Sequence, residues 1–500
     1  MQNLSKSKLL AFRQCPKRLW LEVNRPNVRE DTSVTEAGFQ MGREVGEIAR
    51  QLYDPEGVGE LVDAKLGGLG PALARSAALL DSSAPIFEAG FAAEGALAFV
   101  DIMLPLGKEP KRSWRIVGVK SSTSVKDYHR DDIAIQAFVA RAAGVPLDSV
   151  ALAHINSDWL YPGNEQYRGL LIENDLTDEA FERSDEVRHW IAVAQNLIQE
   201  RSEPKVGLGT HCHDPSKCSF LAYCRSQEPQ AEFPIEWLPR WQNKSSRDLN
   251  GTEPIKDLRD APDRLLSEIQ KRVKAHTLSG EPFFDQIGAA AELAQFGMPA
   301  SFLDFETIQF AVPFWENTRP YQQIPFQFSH HGLSQTGTLD HLEFLNLSGD
   351  DPSKLFAEAL ITACGHVGPV FVYNAGFEVA RIKELGERFP SLNDPLTAIS
   401  ERIVDLLPIA RRYYYHPSQE GSWSIKSLLP AIASDISYDK LDGVKDGSMA
   451  ATAYIEAIHP KTSFKRRDQI RRQLLDYCSL DTYALVRLWQ HFVGQIHHRA

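Results

Sequence analysis

Two carboxylates lie inside an apolar segment of this 500-residue chain. The segment SFLDFETI, residues 301–308, carries Asp304 and Glu306 among phenylalanine, leucine and isoleucine. In a β-strand, residues two apart project from the same face, so the pattern predicts a strand with both acids side by side. A buried carboxylate needs a partner or takes up a proton, and neighbouring like charges repel each other. A divalent cation is therefore the partner we expect.

Further acids occur in two later segments. VFVYNAGFEVARI, residues 370–382, predicts a strand, a turn and a helix with Glu378 in its first turn. LLDYCSLDTYALVRLW, residues 474–489, predicts a helix on which Tyr477 and Asp481, four residues apart, share one face. Four acids and a tyrosine are therefore expected to converge. The alternative is that the acids face solvent or form salt bridges at helix ends.

The order and spacing of these motifs resemble the DEDD superfamily of RNase-H-like exonucleases, in the subgroup with tyrosine in the last motif. The matching residues are Asp304 and Glu306 in DFE, Glu378 in NAGFE, and Tyr477 and Asp481 in YCSLD. The chain departs from the family at Glu378, where aspartate is usual. The resemblance implies that the four acids bind two Mg²⁺ or Mn²⁺ ions and that Tyr477 orients the attacking water.

Two segments between these motifs carry further candidates, VDLLPIARRYYYHP and GSWSIKSLLP. Residues that would line a nucleic-acid path are Asp405, Arg411, Arg412 and Lys426, with Tyr413, Tyr414 and Tyr415 offering faces for base stacking. Partial burial in the core is the alternative for the tyrosines. The GSxSxK pattern around Lys426 resembles that of the same exonuclease subfamily.

Four of the six cysteines are candidate ligands. Three of them follow one another at intervals of five intervening residues, and the fourth lies near the N-terminus; they are Cys212, Cys218, Cys224 and Cys15. Three regularly spaced thiols and a distant fourth suit a soft-metal site. Zinc would accept this set, with His211 or His213 as substitutes, and buried cysteine without a ligand is the alternative.

The same cysteine distribution resembles RecB-like and CRISPR-associated nucleases of the PD-(D/E)XK superfamily, in which a [4Fe–4S] cluster joins the start of the domain to its end. The resemblance therefore favours an iron–sulfur cluster over Zn²⁺. The nuclease core of that family presents an aspartate, a Glu-x-Lys pair and often a glutamine. The matching residues are Asp101, Lys120 and Gln136.

Gly118 stands where the glutamate of that core is expected. Glu88, one strand earlier, is the substitute metal ligand beside Asp101, and Asp132 on the following helix is another. Without a substitute, the site would be weak or inactive. Lys120 and the basic helix at 6–18 would still grip phosphates.

Composition and charge restrict the class of protein. The net charge of −12 argues against overall electrostatic attraction to nucleic acid, although residues 6–18 and 465–472 form local basic segments. No apolar run approaches the ~20 residues that span a bilayer. The N-terminal segment continues into charged residues and lacks a secretion signal. We therefore expect a cytoplasmic protein without a membrane partner.

The pattern of elements predicts an α/β fold class with two modules. They are a restriction-endonuclease-like domain at 1–230 and an RNase-H-like domain at 298–500, joined by a linker and helical connector at 231–297. Strands are predicted at 85–92, 96–105, 113–122, 301–306, 324–330, 341–346 and 369–373. Helices are predicted at 131–144, from about 264, and at 353–364, 377–386, 401–411 and 467–493.

The sequence thus predicts a metal-dependent nuclease acting on DNA or RNA, with 3′ exonuclease activity in the C-terminal domain by resemblance. The N-terminal domain would be a weak or inactive nuclease or a nucleic-acid clamp. One alternative is a non-catalytic nucleic-acid-binding scaffold in repair or antiviral defence. Another is a zinc-binding RNA-processing factor.

Overall fold

The computed structural model describes residues 3–30, 33–107, 112–229, 231–241 and 255–494. The chain forms two compact units. Unit 1 comprises Met1–Pro229 and Phe310–Gln322, and unit 2 comprises Gln230–Gln309 and Gln323–Ala500. Both units contain a β-sheet with helices, which confirms the predicted mixed α/β class.

A seven-stranded sheet forms the centre of unit 1. Its strands are β1 Leu4–Ser5, β2 Glu60–Leu61, β3 Ile86–Ala93, β4 Ala96–Leu106, β5 Ser113–Lys120, β6 Leu147–Ile155 and β7 Leu171–Asp175. The helices are α1 Lys6–Gln14, α2 Pro16–Asn24, α3 Ser33–Tyr53, α4 Ala64–Gly67, α5 Leu69–Leu79, α6 Asp127–Ala142, α7 Thr177–Glu182, α8 Ser184–Leu197 and α9 Leu221–Gln227. The predicted strands and helix of this block are confirmed.

The strand order in unit 1 is β2-β3-β4-β5-β6-β7, with β1 beside β4. Strands β3, β4 and β5 are antiparallel neighbours, and β6 runs parallel to β5. A parallel pair needs a crossover connection, and α6 supplies it. Helix α6 buries Ile133, Ile135 and Val139 in the core of the unit.

Residues 310–322 belong to unit 1 although they connect two strands of unit 2. Ala311 and Val312 are buried in an apolar cluster with Val45, Ile155 and Leu170. Burial of these apolar side chains explains the grouping. The sequence prediction had assigned this segment to the C-terminal domain.

Unit 2 is built on a five-stranded sheet and a separate two-stranded pair. The strands are β8 Phe283–Phe284, β9 Ala300–Ile308, β10 Ile324–Leu333, β11 Leu339–Leu345, β12 Val370–Val372, β13 Ile403–Asp405 and β14 Tyr414–Tyr415. The helices are α10 Glu268–Ser279, α11 Gln286–Leu293, α12 Ser353–Cys364, α13 Gly376–Arg388, α14 Asn393–Ser400, α15 Leu406–Tyr413, α16 Ile425–Ile432, α17 Gly447–Ile458 and α18 Phe464–Val493.

The larger sheet has the order β11-β10-β9-β12-β13. Strand β10 is antiparallel to β9 and β11, whereas β12 is parallel to β9 and β13. The central strand β9 is covered on both faces. Leu303 and Phe305 pack in the cluster that contains Phe356 of α12, and Phe302 on the other face contacts Trp489 of α18. Helix α18 therefore lies on the face from which Asp304 and Glu306 project.

Two predicted elements of unit 2 differ in the structure. The predicted helix 401–411 is strand β13 followed by helix α15, because Ile403 and Val404 pair with β12 and Asp405 caps α15 through the N–H of Leu407. The predicted linker at 231–297 packs into unit 2 where it is described, since Leu258 and Val273 are buried in the core. Its segment 242–254 lies outside the described residues.

The helix predicted from about residue 264 begins at Glu268. Ser267 and Gln270 form a capping box at its start, which sets this boundary. No helix in the described ranges combines the length and the apolarity needed to cross a membrane.

We expect Phe302→Ala to lower the free energy of unfolding of unit 2 by about 3–5 kcal/mol, because it leaves a cavity beneath α18. Phe302 is 0% exposed and contacts Phe371 and Trp489. Urea denaturation followed by tryptophan fluorescence measures the effect. Phe464→Ala is the matched control, since Phe464 is 86% exposed. An equal loss in both variants would contradict the packing account.

Candidate functional site

Three carboxylates meet between strand β9 and helix α18. One oxygen of each of Asp304, Glu306 and Asp481 lies within 4.8 Å of the other two. Among the described residues, they are the group of three or more His, Cys, Asp or Glu side chains whose ligand atoms all lie within this distance. Asp481 precedes Trp489 by about two helical turns, so the contact of Trp489 with Phe302 brings Asp481 opposite the acids of β9. We call these three residues the acid cluster.

Two tyrosines adjoin the acid cluster. The hydroxyl of Tyr438 donates a hydrogen bond of 2.5 Å to Oδ1 of Asp481. The ring of Tyr477 lies 6.3 Å from that of Tyr438, and burial followed by the charge of Asp481 raises the pKa of Tyr477. Tyr477 was predicted from the sequence and Tyr438 was not. Tyr438 lies 43 residues before Asp481, and no local spacing rule connects the two.

Glu378 lies near the acid cluster without belonging to it. Burial, followed by the charges of Asp481, Glu306 and Glu378, raises the pKa of Asp304. Glu378 is buried, and its Oε2 atom has no hydrogen-bond partner in the described part of the chain. Burial raises the pKa of this carboxyl to about 7. An orphaned buried oxygen is a group that a cation or water would satisfy.

Burial and mutual repulsion disfavour the charged forms of the acid cluster. Burial, with the charges of Asp481 and Glu306, raises the pKa of Asp304 well above its ordinary value. The pKa of Glu306 is raised to about 8 and that of Asp481 to about 6, in both cases chiefly by burial. Within the described residues, no lysine or arginine forms an ion pair with these acids. Carboxylate oxygens that no protein cation pairs at close range suit Mg²⁺ or Mn²⁺.

Asp405 holds the turn that precedes Glu378. It accepts hydrogen bonds from the N–H groups of Asn374 at 2.9 Å and Ala375 at 3.1 Å. Asn374 has a φ of 74°, so this turn needs such support. The structure thus gives Asp405 a positioning role in the backbone, which differs from the predicted nucleic-acid path.

Two of the three tyrosines predicted to stack bases are buried. Tyr414 is 4% exposed and Tyr415 is 0% exposed, so the stacking prediction is wrong for both. Tyr415 shares a hydrogen bond of 2.6 Å with Thr277. Tyr413 donates to Glu292 at 2.7 Å. The core alternative therefore holds for Tyr414 and Tyr415.

Unit 1 holds a second group of charged side chains on β4, β5 and α6. Nζ of Lys120 lies 2.6 Å from a carboxylate oxygen of Asp132 and 3.8 Å from one of Asp101. Nζ of Lys6 lies 3.1 Å from Asp132, and Gln136 donates to Asp132 at 2.8 Å. The predicted residues Lys120 and Gln136 therefore contact Asp132, and the predicted Asp101 lies beside Lys120.

Lysine ammonium groups neutralise the acids of this second group. Burial alone would raise the pKa of Asp132, but Lys120 and Lys6 hold it below its ordinary value. Burial, followed by the charge of Asp101, raises the pKa of Glu88. Glu88 also lies 4.0 Å from Arg50. The predicted metal ligands Asp101 and Glu88 thus have protein cations close by, in contrast to the acid cluster of unit 2.

A side chain at residue 118, such as the glutamate that the resemblance implies, would require Ile133 to shift. A Cβ atom at this position would lie 2.4 Å from Cδ1 of Ile133. Ile133 is buried on α6 and fills the space in front of β5. Glycine at residue 118 therefore leaves this packing of Ile133 undisturbed.

The four predicted cysteine ligands line one cavity in unit 1. Cys15 lies between α1 and α2, and Cys212, Cys218 and Cys224 follow one another before and within α9. Gln14 donates hydrogen bonds to the carbonyl groups of His211 and Ser216, at 2.7 and 2.8 Å. These bonds join the two segments that carry the cysteines.

The spacing of the thiols can be compared with the spacing that a single zinc ion needs. A single zinc ion with Zn–S bonds of about 2.3 Å would need its sulfur atoms about 4 Å apart. Within the described ranges, no three cysteine sulfurs lie within 4.8 Å of one another. Burial raises the pKa of Cys15 and Cys218, and raises that of Cys224 to about 11. Four thiols that line one cavity are donors for either an iron–sulfur cluster or zinc.

Residues 301–424 match a family described as Domain of unknown function (DUF2779). The match contains Asp304, Glu306 and Glu378 and ends before Tyr477 and Asp481. No curated protein matches the chain. The function must therefore be argued from the geometry of the site.

We expect Mn²⁺ to raise the melting temperature of the full chain more at about pH 8.5 than at about pH 6, because metal ligands must lose their protons. The pKa of Glu306 is about 8 in the metal-free protein, so protons oppose binding at the lower pH. At 100-fold excess over Kd the stabilisation is about 2.7 kcal/mol. Thermal melts with and without Mn²⁺ measure it.

The matched controls are Asp304→Asn, which should lose the response to Mn²⁺, and Asp350→Asn, which should keep it because Asp350 is exposed. A response that is unchanged in Asp304→Asn would show that Mn²⁺ binds elsewhere.

Proposed function

We propose that unit 2 is a metal-dependent nuclease that hydrolyses phosphodiester bonds of DNA or RNA. The observation that carries the proposal is the acid cluster, whose three carboxylates lie within 4.8 Å of one another. The strand order β11-β10-β9-β12-β13, with acids on the central strand β9 and on the last helix α18, is what an RNase-H-like domain would have. The DEDD resemblance favours 3′ exonuclease activity.

Each functional side chain has a distinct task in this proposal. Asp304, Glu306 and Asp481 would hold Mg²⁺ or Mn²⁺, and Glu378, whose buried Oε2 has no hydrogen-bond partner in the described part of the chain, would be the ligand of a second ion. The bound ions would supply Lewis acidity and lower the pKa of water. Tyr477 orients the attacking water.

The reaction joins the water oxygen to phosphorus and breaks the bond from phosphorus to the 3′ oxygen of the preceding nucleotide. The attacking water loses a proton and the leaving 3′ oxygen gains one. Tyr438 positions Asp481 through its hydrogen bond of 2.5 Å. The protein's part is therefore to hold ligands, orient water and place the strand.

For unit 1 we propose a nucleic-acid clamp without its own catalytic metal. Gly118 supplies no carboxylate, and Asp132 is paired with Lys120 and Lys6. Lysines at this site would contact backbone phosphates, and the release of counterions would favour this binding. This arrangement also supports the non-catalytic scaffold as the second candidate for the chain as a whole.

We expect Asp304→Ala to reduce cleavage by about 100-fold or more, the effect of removing one preorganised electrostatic group, while nucleic-acid binding is largely kept. Lys120→Ala should weaken binding and leave the cleavage step intact. The measurement uses 3′- and 5′-labelled single- and double-stranded DNA and RNA with Mg²⁺ or Mn²⁺.

Asp350→Ala is the matched control for the loss of an acid in unit 2. Loss of cleavage only in Lys120→Ala would move the catalytic site to unit 1. Binding without cleavage by the wild type on every substrate would favour the scaffold.

We also propose that Cys15, Cys212, Cys218 and Cys224 hold a [4Fe–4S] cluster in unit 1. Anaerobically purified protein should contain iron and absorb visible light, and Cys218→Ser should lose both. Cys364→Ala is the control, because Cys364 lies in the core of unit 2. Elemental analysis that finds zinc and no iron would replace the cluster by the zinc site.

A further inference from the structure

Lys426 is a lysine beside the acid cluster that the proposed reaction has not used. It lies in the first turn of α16, which Ser424 caps by accepting the N–H of Ser427. Nζ of Lys426 is 5.0 Å from the centre of the Tyr438 ring and 5.3 Å from that of Tyr477. Contacts of an ammonium group with two aromatic faces fix its position.

The ammonium group of Lys426 is held by the protein without being neutralised at close range. It donates a hydrogen bond of 2.6 Å to the carbonyl oxygen of Lys445. Its charge acts favourably on the carboxylates of Glu306 and Asp481. Within the described ranges, however, no carboxylate lies in ion-pair contact with it. An ammonium group has three donors, and the Lys445 carbonyl accounts for one.

The two tyrosines connect Lys426 to the acid cluster. Tyr438 presents its ring to Lys426 and donates its hydroxyl to Asp481. Tyr477 also presents its ring to Lys426, and burial, followed by the charges of Asp481 and Glu306, raises its pKa. A cation is therefore built into the wall of a site that otherwise consists of acids.

A phosphodiester that approaches the acid cluster meets several carboxylates of its own sign. Even with divalent ions bound, negative charge accumulates on the non-bridging oxygens in the transition state for phosphoryl transfer. A lysine acts on such oxygens as a point charge. An ammonium group that is positioned in advance stabilises this charge without reorganisation.

We propose that Lys426 is a further catalytic residue, which donates a hydrogen bond to a non-bridging oxygen of the scissile phosphate. This inference rests on the proposed nuclease function and adds to it a protein cation for the substrate. Lys426 forms and breaks no covalent bond and transfers no proton. Tyr438 and Tyr477 act on it as positioning residues through their rings.

The test compares Lys426→Met, which keeps the length of the side chain and removes its charge, with Lys426→Arg, which keeps the charge. We expect Lys426→Met to lower kcat by about 100-fold and Lys426→Arg to recover part of it. Lys440→Met is the matched control, because Lys440 is exposed in the turn that follows Tyr438.

A second readout separates substrate contact from a structural role. Replacing one non-bridging oxygen by sulfur in the Rp or the Sp configuration should slow the wild type. For the stereoisomer whose sulfur faces Lys426, the ratio of the rates with oxygen and with sulfur should be smaller in Lys426→Met than in the wild type. A structural role alone would lower the melting temperature and leave the ratio between stereoisomers unchanged, which would overturn the proposal.

Failure of this inference and failure of the nuclease proposal can be told apart. Wild-type cleavage with equal kcat in Lys426→Met would overturn the role of Lys426 and leave the nuclease proposal standing. No wild-type cleavage would overturn the nuclease proposal. The role of Lys426 would then be judged by calorimetric binding of adenosine 5′-monophosphate in the presence of Ca²⁺. A Kd at least 10-fold weaker in Lys426→Met would support it, and an equal Kd or no wild-type binding would overturn it.

Discussion

Repulsion among buried carboxylates is the constraint on which the structure of unit 2 depends. Asp304, Glu306 and Asp481 are held within 4.8 Å of one another although burial and like charge oppose their ionisation. Apolar contacts on both faces of β9 keep them there, with Phe302 against Trp489 on the acid side. The favourable free energy of core packing thus offsets the unfavourable free energy of holding these acids together. Such an arrangement is common where function needs a strained or repulsive group.

The buried acids of the two units differ in their charged partners. In unit 1, the ammonium groups of Lys120 and Lys6 lie 2.6 and 3.1 Å from Asp132, so the acid is satisfied by the protein itself. In unit 2, the acids lack such partners in the described residues. Acids that are already ion-paired have little affinity for a further cation, whereas acids without an ion-pair partner have more. This electrostatic difference, more than the fold, separates the clamp from the catalyst in our proposal.

Groups that are distant in sequence complete the candidate site of unit 2. Tyr438 and Lys426 lie after the segment that matches the family model, residues 301–424. The hydroxyl of Tyr438 binds Asp481 directly, and Lys426 lies over the ring of Tyr477. Asp405 supports the turn before Glu378 by accepting two backbone N–H groups. The carboxylates therefore depend on supporting side chains from several elements, as metal sites generally do.

The sequence alone determined which residues share a face within one element. Alternation in SFLDFETI and the four-residue spacing in YCSLD correctly place Asp304, Glu306, Tyr477 and Asp481, because strand and helix periods are local properties of the backbone. Strand β13 was missed, since three residues are too few to show a period. Only the tertiary structure decided that Ile133 fills the space beside Gly118, that residues 310–322 join unit 1, and that Tyr438 and Lys426 reach the acid cluster. Such contacts join residues far apart in the chain, and packing, which no local pattern records, selects them.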